Sequence, residues 1–348
     1  MSTPTHGDPP CGNLSFRGAL VEGVRVHVPL LHRMTRYGSL MSCGARRALL
    51  FSVIHHGERA EVRALSASHR FSAPVVAFGP QRNGFMSPNV AATCLEDGQT
   101  LVALGGMREE FANDTTATKA SGVWRSSTVL DDEALPSEER WSRAELVVDG
   151  DRSRCFEHRV PSACAPKNFY GHCEFDGRLS LVLFRGTLML FARANLDRCG
   201  GARHVQVAKS VDGGFNWSPF MLLRIKQLTI AQPNNIYFFH VQASAMLDRL
   251  VALYPAALNG GVDGGTYVSF SDDGLHWTAP ERLIQSAIQE DWRTGDHPMG
   301  FVEPMSSSFT SRTVSIFVQH DIQLLRDKST PTFICEYAGL DLGARRGQ

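Results

Sequence analysis

The sequence predicts an all-β fold of the β-propeller kind, built from repeated four-stranded units, and three observations carry that expectation. A short apolar strand recurs five times along the 348 residues. A turn motif of serine, aspartate, glycine and tryptophan stands at one place in the third repeat and recurs in the fourth with phenylalanine at the leading serine position. No long segment combines caps with an apolar period of 3.6 residues, so helices are expected only as short pieces in connections such as 129 to 140 and 283 to 292.

The recurring strand reads ALLFSVIHH (48 to 56), TLVALGGMR (100 to 108), TLMLFARAN (187 to 195), RLVALYPAA (249 to 257) and TVSIFVQHD (313 to 321). A second apolar or alternating run precedes each copy: RYGSLMSC, SPNVAATCL, FDGRLSLVLF, FHVQASAML and VEPMSSSF. These are the expected innermost strands. Turn formers at Glu96-Asp97-Gly98, Arg185-Gly186, Asp248 and Ser311 make each pair a hairpin. In the middle units GVWRSS, RHVQVAKS and GTYVSFS follow as third strands, with WSRAELVV, WSPFMLL and WTAPERLI as fourth strands. A period of this length in a β-rich chain is what propeller blades leave in a sequence. Strand repetition alone fits a β-sandwich equally well.

The turn motif decides between them. Ser210-Val211-Asp212-Gly213-Gly214-Phe215-Asn216-Trp217 lies between the third and fourth strands of the third unit. Phe270-Ser271-Asp272-Asp273-Gly274-Leu275-His276-Trp277 repeats it 60 residues later, with Asp272 aligned to Asp212. The pattern resembles the Asp-box of sialidases and related propellers, well over about residues 170 to 290 and by strand pattern elsewhere. Its chemistry is structural: aspartate accepts hydrogen bonds from its own turn, glycine supplies positive φ, and tryptophan pins the hairpin to the sheet. The resemblance implies one propeller over residues 19 to 345 after an N-terminal extension, 1 to 18. Five four-stranded blades are expected, or six if the N-terminal residues complete another.

Composition agrees with a folded, turn-rich protein: 43% apolar and 20% charged residues, with 31 glycines and 17 prolines. Lys plus Arg and Asp plus Glu balance at 35 each, so there is no net field to attract nucleic acid. Neither a signal-like apolar run near the start nor a transmembrane-length stretch is visible, and a soluble, cytoplasmic protein is the default expectation. The eight cysteines show no CxxC pair and read mostly as buried small side chains, with Cys155, Cys164, Cys173 and Cys199 the candidates for disulfides. No histidine pair has ligand spacing with a carboxylate, so neither a metal nor another cofactor is expected.

In a propeller, ligands meet the residues at one end of the innermost strands. A glycosidase needs two carboxyl groups across the scissile bond, and Asp176 and Glu303, on inner strands of different units, are the expected pair. A sialidase adds arginines that bind the substrate carboxylate bidentately and a tyrosine nucleophile backed by glutamate. Arg178, Arg193 and Arg203 are the candidate cluster and Tyr254 the candidate tyrosine, with Glu174, Arg108 and Gln242 as further ligand-binding residues. The resemblance thus implies a metal-independent glycoside hydrolase of sialidase-like type acting on a terminal sugar, with a glycan or glycoconjugate as its partner. Two alternatives stand beside it: a non-catalytic glycan-binding or protein-interaction propeller, and a five-bladed glycosidase for a neutral sugar.

Overall fold

The computed structural model describes residues 11–31, 35–43, 47–54, 59–66, 68, 70–78, 90–108, 121–130, 134–149, 175, 178–195, 203–229, 234–289, 293–304, 313–320 and 333–343. These residues form three four-stranded antiparallel sheets and one nine-stranded sheet, which divides at its parallel bridge between Arg203 and Asn235 into two further four-stranded antiparallel units, giving five sheets in all. The first holds Thr35–Cys43, Arg47–Ile54, Arg59–Leu65 and Val75–Phe78; the second holds Val90–Cys94, Thr100–Arg108, Ser121–Val129 and Glu145–Asp149. The third is Ser180–Phe184, Thr187–Asn195, Arg203–Ser210 and Met221–Leu222, and the fourth is His240–Ser244, Arg249–Leu258, Asp263–Ser271 and Glu281–Gln285. The fifth contains His297–Val302, Thr313–His320 and Phe333–Asp341, and its outermost strand is Val24–Val26, supplied by the beginning of the chain.

The first strand of each sheet touches the first strand of the next, from Thr35–Cys43 through Val90–Cys94, Ser180–Phe184 and His240–Ser244 to His297–Val302, which returns to Thr35–Cys43. The ring closes, and the fold is a β-propeller. Four of the expected inner strands and the five second strands lie where their apolar runs placed them, whereas the fifth inner strand is His297–Val302 and not the expected VEPMSSSF, of which residues 305 to 309 lie outside the described residues. The joins of the second, third and fourth sheets use residues that accept the left-handed region. Arg185 has φ 47° before Gly186 at 74°, and Asp248 has φ 49°. At the join of the second sheet, the Asp97 carboxylate accepts from the backbone of Gln99 and Thr100.

Each sheet face is covered by its neighbour, so strands read as nearly continuous apolar runs; Arg249–Leu258 is buried at every position but its first. One core lies between the third and fourth sheets, around Phe191, Val207, Phe239, Tyr254 and Trp277, and another between the fourth and fifth, around Val251, Phe301, Ile316 and Tyr337.

Several expectations change. Among the described residues the only helical piece is the 3₁₀ turn Glu138–Arg140, and 283 to 292 includes strand residues rather than a helix. Within residues 1 to 18, Asn13–Phe16 pairs with Ala19–Glu22, and Leu14 and Phe16 are buried against the fourth and fifth sheets. Four of the cysteines read as small hydrophobes are disulfide-bonded, Cys11 to Cys335 and Cys43 to Cys94. The first ties the start of the chain to the last sheet, and the second joins two neighbouring inner strands. Cys155, Cys164, Cys173 and Cys199 lie outside the described residues. Among the described residues no helix is long and apolar enough to cross a membrane.

Candidate functional site at one end of the ring

The inner strands all run in one direction, so the residues that lead into them share one end of the ring. Arg178, two residues before Ser180–Phe184, shows this directly. Its guanidinium donates to the carbonyl of Pro298 (3.2 Å) and to the carbonyl of Gly38, and its Nη2 lies 3.3 Å from His240 Nδ1. It therefore reaches from the third sheet to the starts of the fourth, fifth and first. The side chain is only 4% exposed and lies over the Phe238 ring at 4.3 Å. Burial and the adjacent Arg178 charge push His240 well below the usual histidine range, so its imidazole is neutral.

Arg193 and Arg203 reach the same end from the second and third strands of their sheet, which pair antiparallel with Asn195 opposite Arg203. Both guanidinium groups lie over the Tyr237 ring, at 5.8 and 5.5 Å from its centroid. Arg203 also donates to Asn235 Oδ1 (3.4 Å). The His297 ring packs against Tyr237 and Phe238, with centroids 5.6 and 5.2 Å away. The aromatic pair is thus the floor on which three arginines converge.

A carboxylate beside the start of an inner strand at this end is Asp296, which directly precedes His297–Val302. Its Oδ1 is 2.6 Å from His320 Nδ1, and Ser286 Oγ donates to Oδ2. His320 Nε2 lies 2.9 Å from the Tyr337 hydroxyl, which donates to the Cys11 carbonyl (2.6 Å). Burial acts to raise the Asp296 carboxyl, but the His320 hydrogen bond and charge outweigh it and hold the group below the ordinary carboxylate range.

The structure brings Arg178, Arg193 and Arg203 together and separates other expected members of the site. Glu303 follows the end of its inner strand. It accepts from Ser244 Oγ (2.5 Å) and from the backbone N–H groups of Ala245 and Met246 (3.2 and 3.3 Å), capping a hairpin at the far end of the ring. Five inner-strand residues at about 3.3 Å each separate it from Arg178's end. Gln242 is committed as well: its amide donates to the Phe301 carbonyl (3.1 Å) and accepts from the Phe301 N–H (2.7 Å), clasping two inner strands. Tyr254 is fully buried in the core between the third and fourth sheets, bonded to Ser269 Oγ (2.8 Å), and burial raises its hydroxyl far above the ordinary tyrosine value. A phenol enclosed in that way does not meet a substrate. Asp176 and Glu174 lie outside the described residues, as does the Arg108 side chain.

The turn motifs lie at the end opposite Arg178, since each third strand runs away from that end. In the first, Asp212 Oδ1 accepts from Ser210 Oγ (2.7 Å) and the N–H groups of Phe215 and Asn216 (3.1 and 3.0 Å), and Trp217 Nε1 donates to Gly214 O (2.9 Å). In the second, the corresponding carboxylate belongs to Asp273, not Asp272. Asp273 Oδ1 accepts from the N–H groups of Leu275 and His276 (both 2.8 Å), with Ser271 as the leading serine. Asp272 instead pairs with Arg249 (2.9 Å). The second turn is one residue shorter between aspartate and tryptophan, so aligning the motifs from the tryptophan selects the wrong aspartate.

Sequence reading missed Tyr237, Phe238, Asp296 and His297 because it searched the strands rather than the residues leading into them. The signals were present: the aromatic run Ile236-Tyr237-Phe238-Phe239-His240 and the segment Asp296-His297-Pro298 each abut an inner strand. Among the described residues no group of three histidine, cysteine, aspartate or glutamate side chains is placed to hold a metal ion.

The architecture and this end of the ring define a β-propeller with a cationic, aromatic-floored mouth, and solved structures share the architecture. An N-acetylgalactosamine deacetylase from F. plautii, in complex with blood group B trisaccharide, matches with a TM-score of 0.53 at 12% identity, over 88% of this chain and 90% of that one. An α-L-arabinanase from Penicillium chrysogenum, complexed with arabinobiose, matches with a TM-score of 0.51 at 10% identity, over 91% and 97%. A family 117 glycoside hydrolase from the marine bacterium Zobellia galactanivorans gives 0.51 at 10% identity, over 91% and 89%. At these identities the likeness is one of fold. No family model matches the sequence, and no curated protein matches it.

Proposed function

We propose that this chain is a glycoside hydrolase of sialidase-like type that removes a terminal acidic sugar at the Arg178 mouth of the propeller. The observation that carries the reading is the convergence of Arg178, Arg193 and Arg203 on Tyr237 and Phe238. Guanidinium groups are suited to a sugar carboxylate and the aromatic faces to the C–H face of a pyranose ring. Arg193 and Arg203 are the proposed carboxylate ligands, while Arg178 fixes the mouth by holding the sheets together. Asp176, two residues before Arg178 in the sequence, is the proposed acid/base. Asp296, held by His320, takes the place that Glu303 held as the second carboxyl group. The sugar-related names of the structural neighbours support a glycan as ligand.

The test is hydrolysis of aryl sialosides, uronides and neutral glycosides by the purified protein. Acidic glycosides are the expected substrates. Asp176→Asn is expected to lower turnover by about 10²–10⁴-fold with an unchanged Tm, and Arg203→Ala to raise KM for acidic substrates selectively. Cleavage of neutral glycosides alone would select the neutral-sugar enzyme. Binding of an immobilised glycan through Arg193 and Arg203 without any hydrolysis would select the non-catalytic propeller.

A further inference from the structure

A second polar concavity lies on the same face, outward from Arg203 along the seam between the third and fourth sheets. It has a volume of about 370 Å³ and is lined by Gln227, Leu228, Leu258, Asn259, Asp263, Tyr267, Pro280 and Arg282. That is within the range of small-molecule sites, about 300–1,000 Å³. A chain of contacts connects its wall to the mouth: the Asn259 N–H donates to Asn234 Oδ1 (3.0 Å), and the Asn234 carbonyl accepts from the Arg203 N–H (3.5 Å).

Three features show that this crevice is built rather than incidental. Its two loops each place a non-glycine residue in the left-handed region, Gln227 at φ 68° and Asn259 at φ 52°, a cost that surrounding structure must hold in place. Asp263 is oriented from two sides, its Oδ2 accepting from Asn259 Nδ2 and its carbonyl from the Tyr267 hydroxyl (2.9 Å). Its Oδ1 forms a loose ion pair with Arg282 Nη1 at 3.9 Å, beyond hydrogen-bond length, with both side chains partly exposed at 45% and 41%, and Arg282 is also hydrogen-bonded to the Tyr267 hydroxyl. An exposed carboxylate and guanidinium thus stand side by side in a crevice that Leu228, Leu258 and Pro280 also line.

We infer that this crevice binds a neutral hexopyranose unit through a vicinal diol. One hydroxyl donates to Asp263 Oδ1, its neighbour accepts from the Arg282 guanidinium, and the C–H face of the ring rests on the leucines and proline. The facing charges cancel, so the site is neutral overall, unlike the arginine-rich mouth. It is a binding site distinct from the mouth and does not depend on the hydrolase reading.

Methyl α-mannoside and methyl β-galactoside, both bearing cis diols, are the probes, titrated into the full chain and followed by saturation-transfer NMR. Saturable binding in the millimolar range is expected for at least one of them. Arg282→Ala, at an exposed position on an outer strand, is expected to weaken that binding at least tenfold with an unchanged Tm. Asp263→Asn is expected to weaken it further and to lower Tm, since it also loosens Asn259. Arg203→Ala is expected to leave it unaltered while impairing the mouth, which separates failure of this inference from failure of the proposed function. No saturable binding, or binding that Arg282→Ala leaves intact, overturns it.

Discussion

The two ends of the inner-strand ring are made from the same strands yet perform opposite tasks. At the far end the described contacts serve the fold: Glu303 caps the Ser244–Met246 turn, Asp212 and Asp273 hold their own loops, and Cys43 is bonded to Cys94. At the mouth, positive charge accumulates around two aromatic rings with Asp296 as a carboxylate at the same end, an arrangement that local turn formation does not require. Charged residues near an inner strand are informative about function only once it is known which end of the strand they occupy.

The sharpest way to break this contrast is to remove the residue that makes the mouth. Arg178→Met leaves the Gly38 and Pro298 carbonyls without their cationic donor in a buried setting, and a loss of about 3–5 kcal/mol is expected in denaturant unfolding. A loss below about 1 kcal/mol would mean that Arg178 is not the tie between sheets. At the far end, Cys43→Ser with Cys94→Ser frees a cross-link spanning 51 residues and is expected to cost about 2–4 kcal/mol while sparing ligand binding at the mouth.

Glu303→Gln weakens a cap without touching the mouth. A cost of about 1–2 kcal/mol is expected, with turnover per folded molecule unchanged; a loss of turnover by orders of magnitude would return Glu303 to the catalytic site. The two adjacent aspartates of the second turn should also separate. Asp273→Asn is expected to lower stability by about 1 kcal/mol, whereas Asp272→Asn, which loses a surface ion pair with Arg249, should cost less than about 0.5 kcal/mol. Equal effects in thermal unfolding would contradict the assignment of Asp273 to the turn.

The smallest effect is one of pH. Burial depresses His204 and His240 in the folded protein, with the Arg178 charge a further cause for His240. The unfolded chain therefore takes up protons near pH 6.5 that the folded chain refuses. Stability from these groups is present above about pH 6.5 and is lost as the pH falls below it toward their folded values. The decline of Tm between about pH 7 and 5 is expected to be shallower in His240→Asn than in the parent chain. An identical slope would show that the fold does not depress His240.

The sequence by itself determined the repeating strand pattern and the order of most of its inner and second strands. Four inner and five second strands were legible because an apolar run ending in Glu96-Asp97-Gly98, Arg185-Gly186 or Asp248 has few ways to continue other than a hairpin, while the fifth inner strand, His297–Val302, precedes the run expected to form it. It also named Arg178, Arg193 and Arg203, whose guanidinium groups lie over the rings of Phe238 and Tyr237. The outer strands Arg59–Leu65 and Val75–Phe78, with little alternation to mark them, were not legible. Only the tertiary structure decided which end of each strand faces the mouth and which buried groups spend their hydrogen bonds on the fold. That Glu303 meets Ser244, that Gln242 clasps Phe301, and that the fifth sheet is completed by Val24–Val26 depend on contacts between residues far apart in the chain. No local pattern encodes them, because ring closure fixes those partners all at once.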